Sequence, residues 1–331
     1  MTEAVAGGAT AIGIDIGGTK IAGGLVSSDG RILARARQES PATDPEALVT
    51  TTADIIVELR ARVGEFPEYS EPATVGVACA GLIDSTGSLV YFAPNLAWRD
   101  MPFRALVQER VGLPTILEND ANAAAWGEFR FGAGRDVDDF VLVTVGTGIG
   151  GGCIVDGRML HGGFGIGGEL GHIRFVKDGV RCGCGNRGCW EAYASGTALE
   201  REARELVSSG SAQSPHLVAL CDGDPEKLTG QMVDAAAVAG DAGAIELLEE
   251  IGYRLGEGMA SIAAVLDPSM FGLGGGVMAG AGQFLLDPIR SAFGRSLIGR
   301  GHRPTPAIVP ALLGNDAGVI GAAAWAHQEL G

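Results

Sequence analysis

Three cysteines and one histidine stand close together near the middle of the chain. Cys182, Cys184 and Cys189 lie within eight residues of one another, and His172 precedes them. Thiolate and imidazole groups are preferred ligands of Zn²⁺, and four protein ligands make a closed, structural site. The set therefore predicts one structural zinc ion. A disulfide with a spare thiol is the alternative, and a reducing compartment would disfavour it.

Two glycine-rich turns carry groups that suit a nucleotide phosphate. The first is Asp15-Ile16-Gly17-Gly18-Thr19-Lys20, and the second is Gly146-Thr147-Gly148. Each turn follows an apolar run, and its glycines let backbone N–H groups approach a phosphate closely. Thr19 adds a hydroxyl and Lys20 adds a positive charge. Asp15 would hold Mg²⁺ through water, because Mg²⁺ loses its water ligands reluctantly. A plain hairpin turn is the alternative for each.

A third glycine run follows the apolar stretch from Met270 to Leu273. It reads Gly274-Gly275-Gly276 and would let the backbone pass close to a flat ligand such as adenine. No Gly-x-Gly-x-x-Gly motif opens an early βαβ unit, so the run does not indicate a dinucleotide site. With the two turns, it indicates ATP.

The sequence Glu118-Asn119-Asp120 lies between an apolar strand and an alanine-rich helix. Asp120 is predicted at the start of that helix, where the helix dipole favours an ionised carboxylate. Asn119 adds a second polar group that would order a hydroxyl. A simple helix cap is the alternative interpretation of Asp120.

The elements that position these groups occur twice. The strands Ala11–Ile16 and Ile21–Val26 flank the first turn and lead to Asp29-Gly30-Arg31. The strand Phe140–Val145 precedes the second turn, and Asp156-Gly157-Arg158 follows it. Repetition of a strand–turn–strand unit predicts a duplicated α/β fold with a cleft between its halves.

The remaining pattern is mostly helical. The apolar spacing predicts a helix over 45–62, a long helix capped by Asp241, and a final helix near the C-terminus. Thr197 and Glu200 form a capping-box pattern. We expect a small α/β domain over 1–120, with the C-terminal helix at about 315–331 packing back on it. A large α/β domain over 121–314 would carry the zinc ligands.

Composition excludes several classes of protein. The chain has 331 residues, 46% hydrophobic and 19% charged, so it can bury a core and is not disordered. Its net charge of -16 argues against a nucleic-acid partner. We read no signal peptide and no membrane span, which predicts a cytoplasmic protein.

The cysteine cluster, the Asp15–Lys20 turn and the segment Gly168-Glu169-Leu170-Gly171-His172 together resemble the ROK family of repressors, open reading frames and kinases. The resemblance covers nearly the whole chain, and the cysteine cluster is its most specific part. It implies a fold of the actin–hexokinase type, with two α/β domains that close on a sugar. Among family members, the chain looks closest to the bacterial kinases that phosphorylate glucose.

The resemblance also implies roles for individual residues. Asp120 matches the catalytic base that accepts a proton from the sugar 6-hydroxyl as ATP gives up its γ-phosphoryl group. The other sugar contacts would be Asn95, Asn119, Glu169, His172 and Glu191, with His172 also on zinc. The nucleotide contacts would be Asp15, Gly17, Gly18, Thr19, Lys20, Thr147, Gly148, Gly275 and Gly276. A homodimer or a homotetramer is expected.

Other functions of the same family stay open at this point. The substrate could be N-acetylmannosamine, mannose, fructose or allose instead of glucose, and polyphosphate could also serve as donor. A sugar-responsive repressor would need a DNA-binding segment before the first turn, and the residues there are too few. A sugar sensor without catalysis is disfavoured by Asp120 and both turns.

Overall fold

The computed structural model describes residues 8–93, 96 and 98–331. Its strands are β1 (Thr10–Ile16), β2 (Lys20–Ser27), β3 (Ile32–Glu39), β4 (Val75–Cys79), β5 (Leu82–Ile83), β6 (Val90–Ala93), β7 (Trp98–Met101), β8 (Thr115–Asn119), β9 (Phe140–Val145), β10 (Ile149–Val155), β11 (Arg158–Met159), β12 (Met270–Gly274) and β13 (Ala307–Pro310). Its helices are α1 (Pro45–Ala61), α2 (Phe103–Val111), α3 (Asp120–Phe131), α4 (Glu191–Ala194), α5 (Gly196–Ser208), α6 (Pro215–Leu220), α7 (Gly230–Val238), α8 (Ala242–Leu266), α9 (Gly276–Ser296) and α10 (Ala317–Leu330). Short 3₁₀-helices lie at Arg62–Glu65, Leu170–His172, Pro225–Lys227 and Gly314–Asp316.

Two five-stranded sheets share one strand plan. The first has the order β3-β2-β1-β4-β8, and the second has the order β11-β10-β9-β12-β13. Strands β1, β2 and β3 pair antiparallel, whereas β1, β4 and β8 pair parallel. In the second sheet β10 and β11 pair antiparallel, and β12 and β13 pair parallel. The matching orders confirm the predicted duplicated α/β fold.

The chain separates into two compact units. One contains the described residues up to Leu142, with Gly152–Gly168 and Ala311–Gly331, and the other contains Val143–Gly151 and Glu169–Pro310. This grouping keeps α3 and α10 in the first unit. The domain boundary at residue 120 stays a prediction.

Helix α10 packs closely on the first sheet of its unit. A β-carbon added at Gly13 would lie 1.9 Å from the carbonyl oxygen of Val319, and one at Gly76 would lie 1.8 Å from that of Ala322. Only glycine therefore permits this approach of helix backbone to β1 and β4. The predicted C-terminal helix thus lies against the strand that ends in the Asp15 turn.

In the second unit, the long helix α8 packs against α9 and against Trp190. The indole of Trp190 is fully buried and lies where a β-carbon at Gly258 would be, 2.1 Å from its Cε2. Its Nε1 donates to the carbonyl oxygen of Arg254 at 2.8 Å. This contact fixes the backbone next to Glu191. Within the described ranges, no helix is both long and apolar enough to cross a lipid bilayer.

Two predicted helix starts had different outcomes. Asp241 caps α8 as predicted, since its Oδ1 accepts from the backbone N–H of Ala244 at 3.0 Å. The capping box at Thr197 is wrong, because Ser195 is the N-cap of α5 and accepts from the N–H of Ala198. The helix starts two residues earlier than the pattern suggests, which leaves the Thr197 hydroxyl for another contact.

Candidate active site

The first predicted phosphate turn joins β1 to β2. Within this turn, the backbone N–H of Gly17 donates to the carbonyl oxygen of Lys20 at 2.9 Å, which closes a tight hairpin. Gly18, Thr19 and Lys20 are exposed, so their backbone and side chains face solvent. The turn therefore keeps donor groups available to a ligand.

Two carboxylates of the first unit influence each other electrostatically. Asp15 is the penultimate residue of β1, and Asp120 begins α3 immediately after β8. Burial, and then the charge of Asp120, raise the pKa of Asp15 to about 6, against a smaller opposing effect of Lys20. Burial also raises the pKa of Asp120, although its hydrogen bond from the Ala121 N–H opposes this. Such a pair of acids suits a cation or proton transfer.

Asn119, and not Asp120, caps helix α3. The Oδ1 of Asn119 accepts from the backbone N–H groups of Ala121 at 2.9 Å and Asn122 at 3.1 Å. Its Nδ2 donates to the carbonyl oxygen of Gly81 at 3.1 Å. Because Asn119 caps the helix, the alternative reading of Asp120 as a simple cap is wrong. Among the described residues only the carbonyl oxygen of Gly81 accepts from Nδ2, so a second amide N–H is available to a ligand.

Sequence reasoning missed a pair next to this helix start, formed by the buried Glu118 and the partly buried His161. The Oε1 of Glu118 accepts from the backbone N–H of Asn119 at 2.8 Å and from the Nδ2 of Asn122 at 3.0 Å. Its Oε2 lies 2.6 Å from the Nε2 of His161. Burial lowers the pKa of His161, but the hydrogen bond and charge of Glu118 outweigh it, and the pKa is raised. No local pattern links two residues that are so distant in sequence.

The second glycine turn is held by bonds from α4 and α5. The N–H of Gly196 donates to the carbonyl oxygen of Gly146 at 2.8 Å. The hydroxyl of Thr197 donates to the carbonyl oxygen of Thr147 at 2.7 Å. The N–H of Ile149 donates to the Oε2 of Glu191 at 2.9 Å. Glu191, predicted as a sugar contact, thus also supports the turn.

A cavity of about 450 Å³ in the second unit brings two of the predicted nucleotide-binding runs together. Thr147 and Gly276 both line it. Gly148 and Gly275 are not among its lining residues and instead approach neighbours closely, Gly148 at Glu191 and Gly275 at the backbone of Val145. The sequence missed the other polar groups of the wall, which are Thr197, Glu200, Thr229, Gln231 and Asp234.

The predicted metal ligands converge. One ligand atom from each of His172, Cys182, Cys184 and Cys189 lies within 4.8 Å of all the others. The Sγ atoms of Cys184 and Cys189 are 3.7 Å apart, and the Nδ1 of His172 is 3.7 Å from the Sγ of Cys182. Zn–S bonds of about 2.3 Å and tetrahedral angles place sulfurs roughly 3.8 Å apart. All six cysteines are free, so the disulfide alternative is wrong.

His172 uses its two ring nitrogens in different directions. Its Nδ1 faces the cysteines, whereas its Nε2 lies 4.0 Å from the Oε2 of Glu169. Among the predicted sugar contacts of this unit, Glu169 and His172 are therefore neighbours. Asn95, another predicted sugar contact, lies outside the described residues.

The chain belongs to the ROK family, whose model matches residues 11–329. A glucokinase of Streptomyces coelicolor is 44% identical over 317 residues, which cover 96% of this chain and 97% of that protein. The crystal structure of a ROK family glucokinase from Streptomyces griseus, in complex with glucose and AMPPNP, has a TM-score of 0.84 at 43% identity and covers 96% and 99% of the two chains. The ROK hexokinase from Thermus thermophilus has a TM-score of 0.82 at 33% identity and covers 97% and 99%. The actin–hexokinase type of fold is confirmed.

Proposed function

We propose that this protein is a glucokinase, which transfers the γ-phosphoryl group of ATP to the 6-hydroxyl of glucose and yields glucose 6-phosphate and ADP. The observation that carries the proposal is the similarity, along nearly the whole chain, to a glucokinase that binds glucose and AMPPNP. The phosphate turns, the cavity and the acid pair supply the groups that this reaction needs.

Asp120 is proposed as the general base. Its carboxylate is not the cap of α3, and burial raises its pKa, so it is a stronger base than an exposed aspartate. It accepts the proton of the 6-hydroxyl and orients that oxygen for in-line attack. Where the transition state is loose, orientation counts as much as basicity.

Mg²⁺ bound with ATP would neutralise charge on the phosphates, and Asp15 would hold it through water. The donor set fits, because Asp15 and Asp120 are neighbouring carboxylates whose mutual repulsion a cation relieves. The backbone N–H groups of Gly17 and Gly18, with Thr19 and Lys20, are proposed to contact phosphate oxygens.

The sugar contacts at Asn95, Asn119, Glu169, His172 and Glu191 stay predictions. These polar side chains would form hydrogen bonds with sugar hydroxyls and would therefore favour glucose over an N-acetylated sugar. A site that pairs hydroxyls rejects analogues that leave its own polar groups unpaired. A structural zinc ion on His172, Cys182, Cys184 and Cys189 would hold His172 in one orientation. A homodimer or homotetramer and a cytoplasmic location also stay predictions.

A coupled assay with ATP and a panel of hexoses tests the proposal. We expect kcat/KM for glucose to exceed that for N-acetylmannosamine and N-acetylglucosamine by at least about tenfold, or ~1.4 kcal/mol. Mannose is expected to be a poorer substrate. Higher kcat/KM for an N-acetylated sugar, fructose or allose would reject glucose as the substrate, while leaving the family assignment intact.

A further inference from the structure

Asp234 is an acidic residue in the wall of the second-unit cavity that the proposed chemistry does not use. It lies on α7, and its side chain reaches towards α9, where a β-carbon at Gly280 would lie 2.1 Å from its Oδ2. The glycine at 280 therefore leaves the space that the carboxylate occupies. Gly276 and Val277, one turn earlier on α9, line the same cavity.

The carboxylate of Asp234 is poorly satisfied. Its Oδ1 is buried and has no hydrogen-bond partner among the described residues. Burial also raises its pKa. Buried polar atoms are nearly always hydrogen-bonded, so an orphaned acceptor beside a cavity indicates a donor that arrives with a ligand.

The other acid of the wall is already engaged. The Oε1 of Glu200 accepts from the backbone N–H of Gly230 at 2.9 Å, and its Oε2 lies 3.5 Å from a guanidinium nitrogen of Arg204. Glu200 thus supports the start of α7, whereas Asp234 is left with an unused acceptor.

The charges of the wall constrain which part of a ligand lies beside Asp234. Among the described residues that line the cavity there is no lysine or arginine, so a phosphate next to Asp234 would meet an uncompensated negative charge. Phosphates are better placed at the Thr147 turn and at the start of α9, where N–H groups are free of side-chain caps. An uncharged group with a hydrogen-bond donor suits Asp234.

We propose that Asp234 accepts a hydrogen bond from the nucleoside part of the phosphoryl donor, and thereby makes the cavity selective for nucleoside triphosphates over a bare polyphosphate chain. This inference rests on the proposed ATP-dependent function and adds a specificity-determining residue to it. Two parts of ATP offer such a donor, the ribose with its 2′- and 3′-hydroxyls and the adenine with its 6-amino group.

The test compares Asp234→Ala and Asp234→Asn with the wild type, using ATP, 2′,3′-dideoxy-ATP, ITP and inorganic polyphosphate with glucose as acceptor. Polyphosphate is also assayed as an inhibitor against ATP. Glu246→Gln, which removes one exposed carboxylate of α8, serves as the control for charge and should match the wild type. We expect Asp234→Ala to lower kcat/KM for ATP about tenfold, mainly through KM for ATP. The KM for glucose should not change, and polyphosphate use or inhibition should be equal or stronger.

The analogues distinguish the two donors. If a ribose hydroxyl is the partner, the kcat/KM of the wild type falls by the same factor with 2′,3′-dideoxy-ATP, and Asp234→Ala causes no further loss with that nucleotide. If the amino group is the partner, the same holds for ITP, and Asp234→Asn improves ITP use, because its amide can donate to the 6-oxo group.

Three results would overturn the inference: an unchanged kcat/KM for ATP, an equal loss on every donor, or wild-type use of both analogues as efficient as use of ATP. Calorimetric binding of ADP to the same variants needs no turnover. If the wild type fails to phosphorylate glucose, the proposed function fails, while weaker ADP binding by Asp234→Ala would still support the role of Asp234.

Discussion

The two glycine turns have the same place in their sheets and different surroundings. In the first unit, the turn after β1 has one bond within itself and one from outside, in which the N–H of Ser40 donates to the carbonyl oxygen of Thr19, and its tip is exposed. In the second unit, the turn after β9 is bonded by Gly196, Thr197 and Glu191. Two residues before the first glycine, one strand carries Asp15 and the other carries Thr144. Duplication therefore preserved the topology, while the chemistry of the two turns diverged.

This contrast suggests that the two turns have different roles. The first turn is accompanied by two acids with raised pKa values, which suits it to the reacting groups. The second turn is braced by α4 and α5 and opens on a cavity, which suits it to holding a ligand in a fixed position. Substitutions near the first turn should accordingly lower kcat, whereas substitutions near the second turn should raise KM or lower stability.

The largest effect is expected from the acid pair. Asp120→Asn should lower kcat at least ~100-fold, because it removes the general base but keeps the shape of the side chain. Glucose binding, measured by calorimetry, should survive better than turnover. Asp136→Asn, an exposed change in the same unit, is the control. Near-normal kcat in Asp120→Asn would remove this residue from catalysis and would weaken the contrast between the turns.

The next largest effect is expected from the proposed zinc ligands of the second unit. Cys184→Ser should reduce zinc from about one ion per chain to nearly none, and should lower Tm, because binding energy of a structural metal is folding energy. It should also raise KM for glucose, because His172, a predicted sugar contact, would no longer be held in one orientation by the metal. Elemental analysis measures the metal, and Cys221→Ser, outside the cluster, should keep it. Fully active protein without zinc would contradict the assignment.

The hydroxyl of Thr197 offers a smaller and more local test. Thr197→Ala removes its hydrogen bond to the carbonyl oxygen of Thr147, a loss of about 1 kcal/mol. We expect KM for ATP to rise about fivefold and Tm to fall by roughly 2 °C. Thr19→Ala, at the exposed tip of the first turn, should leave Tm unchanged. Equal thermal shifts in both variants would show that the two turns are braced alike.

The smallest effect concerns the pair of His161 and Glu118. Because the folded-state pKa of His161 is raised, its stabilising effect is full below its unfolded pKa and is lost as the pH rises through the folded pKa. His161→Gln should therefore lower Tm by roughly 2 °C at pH 5.5 and by less at pH 8. Thermal unfolding at both values measures this. A deficit that grows with pH would contradict the assigned charge of His161.

The local sequence predicted those features that depend on neighbours along the chain. The proposed zinc ligands Cys182, Cys184 and Cys189 lie in one short segment, and each glycine turn follows its strand directly. The duplicated plan was visible because both hairpins repeat the same strand–turn–strand pattern. The predicted start of α5 was wrong. A Thr-x-x-Glu pattern does not distinguish an N-cap from the first turn of a helix that is already capped by Ser195.

By itself, the sequence determined the strand–turn units, the grouping of three cysteines in one short segment and the place of Asp120 at a strand-to-helix junction, because residue type and short-range spacing fix these features. Only the tertiary structure decided that His161 pairs with Glu118 and that Asp234 lines the cavity with an acceptor that no described residue uses. These depend on which distant segments pack together. Packing is set by the burial of whole helices and sheets, so no local pattern records it.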